Sequence, residues 1–443
     1  MKKPYFKITY FICLVVEKIC SICILPITGK IIGDEKFYSF SLIFSSFSLL
    51  STVFSLGVVG LLQRTVTTDK ELYQLIKINI VHRYKKFALY VIFICFLLFL
   101  ALKSNLFLLL GLLIVAGINN LTKIQLVLEK KTKTYCVNTL TTLLIPCVLF
   151  IYFVGIVDSK TISTIFICLY CLGNITFNYL IHVDFNPSTK LIKCQKQKYH
   201  EILQFCWPLA VNSFLAYLLF IVPRIGLANS SNLEDSNNFT IFQTFFGIYS
   251  FLISYFIPLW SSDFFQYLKS SRYNSQPYNG FKNYIYLLSG NHIFYALCII
   301  LVFKYQNTEL PPKFLSIVFI IILSQSVYFI RVILDLCNIY HLGTKKLLIM
   351  NLMGVPVTYA LTRTFGAHMG IIGACLSVLI NHISSLFILY FMCEFKTKNI
   401  FKSVIYRIGW CTYLITAFLS CVFIYFLEKH IDQLLKYIRL NVV

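Results

Sequence analysis

The chain has 443 residues, of which 58% are hydrophobic and 13% are charged, and its mean hydropathy is +0.76. Soluble domains carry about 25% charged residues, and the apolar runs here are too long for a soluble core, which excludes soluble enzymes, coiled coils and disordered scaffolds. The 39 Lys and Arg residues exceed the 17 Asp and Glu residues by 22, an excess that would indicate nucleic-acid binding only in a soluble chain.

Apolar windows of about 20 residues, the length that crosses a hydrocarbon core about 30 Å thick, recur along the whole chain. The first window is too long for a cleavable signal peptide and contains Glu17 and Lys18, so we interpret it as a membrane span. The predicted spans are 8–32, 37–60, 86–102, 105–128, 135–157, 160–182, 202–227, 238–260, 284–303, 314–337, 346–365, 368–393 and 404–427. We therefore predict an all-α polytopic membrane protein with twelve helices and a thirteenth apolar run.

The charges in the loops predict the orientation of the chain. With a cytoplasmic N-terminus, the inner segments hold 24 Lys and Arg residues and the outer loops between spans hold seven. This asymmetry follows the positive-inside rule at each pair of loops. The tail after Phe426 is also basic, so two interpretations of the run 404–427 stay open: it crosses the membrane, or it lies at the interface.

The two halves of the chain resemble each other. A P-x-x-G motif at 26–29 precedes an acidic turn and an F-x-x-F motif at 37–40, and the same order recurs at 223–226 and 239–242. Transporters are often built from such repeats, with the substrate site between them. The predicted units are a six-helix lobe at 1–182, a basic cytoplasmic linker at 183–201, a six-helix lobe at 202–393, and an extra apolar run with an amphipathic basic tail at 394–443.

Charged residues within predicted spans are informative, because each costs about 2.5–3.5 kcal/mol at the bilayer centre. They are Glu17 and Lys18 in span 1, Lys123 in span 4, Arg224 in span 7, and Arg331 and Asp335 in span 10. We expect Lys18 and Arg224 to line a wet central cavity. Lys123 extends a polar stripe that helix packing would also explain. Arg331 and Asp335 are four residues apart on one helical face, so a structural ion pair stays open for them.

No catalytic or metal-binding motif accompanies these charges. The sequence lacks G-x-S-x-G, H-E-x-x-H, Walker A and G-x-G-x-x-G patterns, and its eight histidines are scattered without metal-ligand spacing. Cys168 and Cys171 form a C-x-x-C motif inside an apolar run, where a thiol behaves as a small hydrophobe. We expect a protein that is not an enzyme, with no cofactor, no metal and no nucleic-acid partner.

Three short segments carry a resemblance to a known family: IIGDEKFYSF at 31–40, FCWPL at 205–209 and GAHMGIIGA at 366–374. With the two halves, they resemble the Wzx-type polysaccharide (O-antigen) flippases of the multidrug/oligosaccharidyl-lipid/polysaccharide (MOP) exporter superfamily, over about residues 8–393. In such proteins the first helix of the second half commonly carries an Asp-Arg pair. Arg224 matches the Arg, whereas Pro223 takes the position of the Asp.

The resemblance implies a V-shaped, two-lobed exporter in the cell inner membrane. Such a protein moves an undecaprenyl-pyrophosphate-linked oligosaccharide, an O-antigen or capsule repeat unit, between leaflets by alternating access. Its implied partners are membrane lipids, a polysaccharide polymerase and a chain-length regulator.

The charged residues within the spans suit an anionic substrate. A pyrophosphate carries about two negative charges, so the predicted substrate-binding residues are Lys18, Lys123, Arg224 and Arg331. Two other functions stay open. A multidrug exporter of the same superfamily would use buried carboxylates, for which Glu17 and Asp335 are the candidates, and these two are also the candidates for ion coupling or ion pairing. A membrane polysaccharide polymerase would need catalytic residues that the sequence does not show.

Overall fold

The computed structural model of the chain is helical almost throughout its described residues, and those residues contain no strand. The structure describes residues 57–77, 82–102, 105–154, 162–181, 196–230, 235–240, 242–243, 264–265, 268–269, 313–341 and 343–394, and the single residues 9, 12, 13, 16, 398, 401 and 422. The predicted all-α class is confirmed.

The described helices from residue 82 onward follow the predicted spans closely, whereas two shorter helices lie mostly between the predicted spans 37–60 and 86–102. The described helices are α1 Val58–Thr68, α2 Lys70–Leu75, α3 His82–Leu102, α4 Asn105–Leu128, α5 Thr132–Thr139, α6 Ile145–Val154, α7 Ile162–Ile175, α8 Lys196–Ala228, α9 Phe314–Tyr340, α10 Thr344–Met369 and α11 Ile371–Met392. Two π-helical turns, Leu140–Leu144 between α5 and α6 and Thr176–Ile181 after α7, complete spans 5 and 6.

Within the described ranges, four helices are long and apolar enough to cross a membrane. They contain the segments Lys133–Phe150, His200–Ala228, Ser316–Tyr340 and Ile371–Met392. Most of the predicted spans 8–32, 37–60, 238–260, 284–303 and 404–427 lies outside the described residues, so the count of twelve helices stays a prediction.

Proline affects these helices in two different ways. α8 runs without a break through Pro208 and Pro223, and α10 runs through Pro356; a membrane helix tolerates proline where its neighbours satisfy the freed carbonyl groups. Pro146, by contrast, is the second residue of α6, which begins directly after the π-helical turn Leu140–Leu144. Because proline lacks the N–H that would bond to the carbonyl of Thr142, the helix widens just before it.

Residues that follow the predicted spans 2, 4 and 10 come together at one end of the described helices, called the basic end below. The Nζ of Lys77 lies 2.6 Å from Oε1 of Glu129, which joins the segments that follow spans 2 and 4. The Nε of Arg64 donates to the carbonyl of Tyr340 at 3.3 Å, which joins the end of α1 to the end of α9. Three of the segments predicted to lie on the inner side are therefore close together, whereas the identity of that side as cytoplasmic stays a prediction.

Glycines bring the helices of the second half together at the opposite end. A Cβ added at Gly226 of α8 would lie 3.1 Å from the Cβ of Thr362 on α10, and one added at Gly366 would lie 2.8 Å from Oγ of Ser230. Gly373 in α11 is tighter still, because its Cβ would lie 2.2 Å from the carbonyl oxygen of Phe365. The run at 366–374 is therefore a helix-packing seam.

Replacing Gly373 by Ala should destabilise the protein, because the added methyl group meets backbone that cannot move aside. Overpacking of this kind costs about 1–3 kcal/mol, so we expect the Tm in detergent to fall by about 2–5 °C. Gly111→Ala is the matched control, because its Cβ would make an ordinary contact of 3.5 Å with Cys95. If the Tm of Gly373→Ala were equal to or higher than that of Gly111→Ala, the interpretation of 366–374 as a helix-packing seam would be wrong.

Candidate functional site

A buried polar cluster links three helices of the second half. Arg331 on α9 is 5% exposed, and its Nη2 donates to Oδ1 of Asn351 on α10 at 2.7 Å. The Nδ2 of Asn351 donates in turn to Oδ1 of Asn212 on α8 at 2.8 Å. One chain of hydrogen bonds therefore begins at a buried cation and ends at an amide on the helix that opens the second half.

The predicted pairing of Arg331 with Asp335 is present but loose. The Nε of Arg331 lies 3.8 Å from Oδ2 of Asp335, whose side chain is 24% exposed. At this distance the contact is an ion pair and not a hydrogen bond. Among the described residues, neither Nε of Arg331 nor Oδ1 of Asp335 has a hydrogen-bond partner, although both atoms are buried. Among the described residues, the buried Nε donor of Arg331 is therefore left with the charge of Asp335 but no hydrogen bond.

The helix α11 contributes His382, which the sequence analysis did not single out. Its ring lies 5.1 Å from that of Tyr328 on α9, between centroids, and its buried Nδ1 has no hydrogen-bond partner within the described part of the chain. The cluster thus brings together a guanidinium, a carboxylate and two amides, and the imidazole of His382 lies against Tyr328 on the same helix as Arg331. The signal that could have identified His382 and Asn351 is their polarity inside apolar spans 12 and 11.

Arg224 occupies a separate and fully buried position near the C-terminal end of α8. Its Nε donates to Oε1 of Gln243, and its guanidinium carbon lies 4.9 Å from the centre of the Phe220 ring. Gln243 is held in place because its Nε2 donates to the carbonyl of Phe220 at 2.7 Å. A transported solute would reach Arg224 only after a rearrangement of the residues around it.

The structure does not bring the two predicted arginine sites together. Arg224 follows Asn212, the last member of the Arg331 cluster, by twelve residues of continuous helix, which is about 18 Å along the axis of α8. The two cations lie at different depths. In this structure they can therefore bind an anion one after the other, but not at the same time.

In the first half, the polar stripe around Lys123 joins helices to each other. Asn119 on α4 accepts a hydrogen bond from Nδ2 of Asn138 on α5 at 2.8 Å, and Oγ1 of Thr122 donates to Oδ1 of Asn178 at 2.7 Å. Lys123 itself is partly buried on the same helix. The predicted site residues Glu17 and Lys18 lie outside the described residues.

Four buried oxygens at the π-helical turns were also missed by sequence reasoning. They have no hydrogen-bond partner among the described residues, and they are Oδ1 of Asn138, Oγ1 of Thr139, Oγ1 of Thr142 and Oδ1 of Asn174. Such a group suits an ordered water or a hard cation, and π turns are frequent at functional sites. Within the described residues, no three His, Cys, Asp or Glu side chains form a metal site. The sequence features that could have indicated these oxygens are Pro146 and the asparagines inside apolar spans.

The carboxylate of Glu129 organises the cationic side chains at the basic end. It accepts contacts from Nζ of Lys77 at 2.6 Å and Nζ of Lys131 at 3.0 Å, and from the hydroxyl of Tyr73 at 3.4 Å. Burial raises the pKa of Glu129, but hydrogen bonds and charges from the two lysines outweigh it and hold the pKa below its ordinary value. Burial, followed by the charge of Glu129, raises the pKa of Tyr73.

Asp335→Asn should destabilise the protein, because it leaves the charge of Arg331 buried without its ionic partner. Leaving a buried polar group unpaired costs about 1–3 kcal/mol, and we expect a lower Tm in detergent. Replacing both partners, in Arg331→Met with Asp335→Asn, should recover part of the loss. Glu394→Gln is the control, since that carboxylate is 72% exposed beside Lys346. Equal Tm values for Asp335→Asn and Glu394→Gln would exclude the pairing.

Glu129→Gln should lower the Tm at neutral pH, and the difference from the wild type should shrink in acid. The pKa of Glu129 is depressed in the folded state, so its stabilising contribution is present above the pKa of the unfolded chain, about 4.3, and is lost as the pH falls through the lower, folded value. Tm values measured in detergent between neutral pH and about pH 3 test this. Glu71→Gln, at an exposed carboxylate, should show neither effect.

Comparison with known proteins establishes the fold. No protein-family model matches the sequence, and no curated protein is similar to it in sequence. The structure, however, aligns with an outward-facing multidrug resistance MATE family transporter of the MOP superfamily at a TM-score of 0.61 and 12% identity, over 90% of this chain and 95% of that one. An inward-facing transporter of that description gives a TM-score of 0.56 at 12% identity, over 88% and 99% of the two chains.

A third solved structure is a MOP superfamily transporter from Pyrococcus furiosus, for which the reverse polarity of its binding pocket suggests a different function. It aligns at a TM-score of 0.54 and 10% identity, over 88% of this chain and 96% of that one. At these identities the likeness shows the fold alone. The chain has the fold of the MOP superfamily transporters, and its function must be argued from its own residues.

Proposed function

We propose that the protein is a flippase that moves a pyrophosphate-linked oligosaccharide, carried on an undecaprenyl chain, from the cytoplasmic to the outer leaflet of the inner membrane. The fold supports transport. The observation that carries the choice of substrate is the cluster around Arg331, in which a buried guanidinium is held by two amides and only loosely by Asp335.

The chemistry of this cluster suits an anionic head group. A guanidinium presents several N–H donors in a fixed planar arrangement that matches phosphate oxygens, and in a low-dielectric interior its attraction for them is far larger than in water. Arg331 keeps an unused donor, because its Nε makes no hydrogen bond among the described residues; that atom is buried, so a head group would reach it only after a rearrangement. Asn212 and Asn351 could then hold neutral oxygens of the phosphate or of the first sugar.

An adjacent surface suits the lipid part of the substrate. Leu203, Trp207, Val211 and Phe214 lie three or four residues apart on one face of α8, and all four are exposed. Asn212, at the end of the polar cluster, is on the same helix and partly exposed. An isoprenoid chain can therefore lie along α8 in the bilayer while the polar cluster holds the head group.

A second candidate is a multidrug exporter, favoured by the partly exposed carboxylate of Asp335 in a fold shared with the MATE transporters. A cationic drug would depend on the carboxylate of Asp335, whereas an anionic lipid would depend on the guanidinium of Arg331. The two functions therefore differ in which member of one ion pair is indispensable, and substitutions at the two positions separate them.

Deletion of the protein should abolish surface polysaccharide and leave lipid-linked repeat units on the cytoplasmic face of the membrane. Units that reach the outer face but stay unpolymerised would indicate a polymerase instead. In a complementation assay, we expect Arg331→Leu and Arg224→Ala each to lower surface polysaccharide by about tenfold or more, the equivalent of about 1.4 kcal/mol. Arg331→Lys should restore part of the activity, because it keeps the charge but not the planar donors.

The control for this assay is Lys345→Gln, which removes an exposed cation at the start of α10 and should leave export unchanged. Immunoblots of membrane fractions show that each variant inserts. Full polysaccharide export in inserted Arg331→Leu, together with drug sensitivity in Asp335→Asn, would overturn the proposal in favour of the drug exporter.

A further inference from the structure

The helix α1 packs against α8 with almost no space between the two backbones. Gly57, immediately before α1, has a φ of 68°, and a Cβ there would lie 2.3 Å from the carbonyl oxygen of Cys206 and 2.9 Å from the Cβ of Leu209. A Cβ at Gly60, one turn further, would lie 3.0 Å from Cδ1 of Leu209. At Gly57 the positive φ and the backbone of Cys206 leave room only for glycine, whereas at Gly60 an added methyl group would press on the flexible end of the Leu209 side chain.

The same face of α1 continues to Arg64, four residues after Gly60. Its Nε donates to the carbonyl of Tyr340 at 3.3 Å, and Tyr340 is the last residue of α9. The ring of Tyr340 packs in turn on that of Phe265, with centroids 5.7 Å apart. One face of α1 therefore contacts both α8 and α9, and apolar neighbours such as Leu62 are buried around the contact.

This contact crosses between the predicted halves of the chain. α1 follows span 2, in the predicted first half, whereas α8 and α9 are in the second, and the contact lies at the basic end. A transporter that works by alternating access must break a contact between its halves at one end. Contacts through glycine suit that task, because the helices can part without releasing interlocked side chains.

We propose that Gly57, Gly60 and Arg64, with Cys206, Leu209 and Tyr340, form the inner closure of the transport path. In this structure the closure is shut. It opens when α1 separates from α8 and α9 and admits substrate from the cytoplasm. This proposal rests on one part of the proposed function, namely that the chain transports a solute. It does not depend on which solute is transported.

A disulfide across the contact tests whether it must open. In a Cys206→Ser background, Gly60→Cys is paired with Leu209→Cys, because a Cβ at position 60 would lie 3.0 Å from Cδ1 of Leu209 and bridged Cβ atoms lie about 3.5–4.5 Å apart. Oxidation with copper phenanthroline should lower polysaccharide export by about tenfold, and dithiothreitol should restore it. Full export with a quantitatively formed disulfide would overturn the proposal.

The matched control is the pair Gly226→Cys with Thr362→Cys. It places a disulfide in an equally close glycine contact at the opposite end, within one half. Oxidation of this pair should leave export unchanged, because no contact between the halves is fixed. Loss of export in both pairs would mean that any added crosslink inactivates the protein, and the proposal would be abandoned.

A second measurement needs no substrate and does not require the disulfide to form. Leu209→Cys, in the Cys206→Ser background, is treated with a membrane-impermeant maleimide from the cytoplasmic side of inverted vesicles. Arg64→Ala removes the bond to Tyr340 and should raise the labelling rate by about threefold or more, whereas Lys70→Ala, at an exposed cation, should leave it unchanged. Equal labelling rates in Arg64→Ala and Lys70→Ala would overturn the proposal that these residues form a closure.

The two measurements separate failure of this proposal from failure of the proposed function. If the protein does not carry lipid-linked oligosaccharide, surface polysaccharide will be normal in the deletion strain, and export will report nothing about any variant. The labelling rate will still respond to Arg64→Ala if the closure exists.

Discussion

The need to satisfy every polar group without water governs this structure. A bilayer interior offers no hydrogen-bond partners, so backbone groups pair within helices and buried polar side chains pair between them. The amides Asn119 and Asn138 join two helices of the first half, and Arg331, Asn351 and Asn212 join three of the second. The groups that hold the helices together are therefore also the groups available to a solute, and packing and function cannot be assigned to separate residues.

The sequence predicts those features that depend on length and on spacing along one helix. The bounds of α4 follow from the apolar run alone, and the proximity of Arg331 and Asp335 follows from their separation of four residues. The pairing of Arg331 with Asn351 could not be predicted, because it depends on how α9 and α10 rotate against each other, and many rotations bury similar apolar area. For the same reason the charge of Arg224 was evident, whereas its enclosure by Gln243 and Phe220 was not.

Proline illustrates the same division. Pro146, Pro208, Pro223 and Pro356 all fall inside apolar spans, and each removes one backbone donor. Three of them lie in continuous helices, whereas Pro146 follows a π-helical turn. At that turn the carbonyl oxygen of Thr141 lies against the neighbouring helix, 2.3 Å from the position that a Cβ on Gly173 would occupy. The sequence locates the missing donor, whereas this contact depends on tertiary packing and is not evident from the sequence.

The two ends of the bundle differ in what their close contacts join. At one end Gly226 and Gly366 join α8 to α10, both inside the second half, and at the basic end Gly57 joins α1 to α8. If the halves move as units, the first contact persists and the second breaks. The Arg331 cluster lies within the second half, so a head group bound there would move with that half. Export would then require the contacts of α1 to open while the Arg331 cluster keeps its geometry. The hydrogen bonds that run through the amides from α9 to α8 are suited to maintain that geometry.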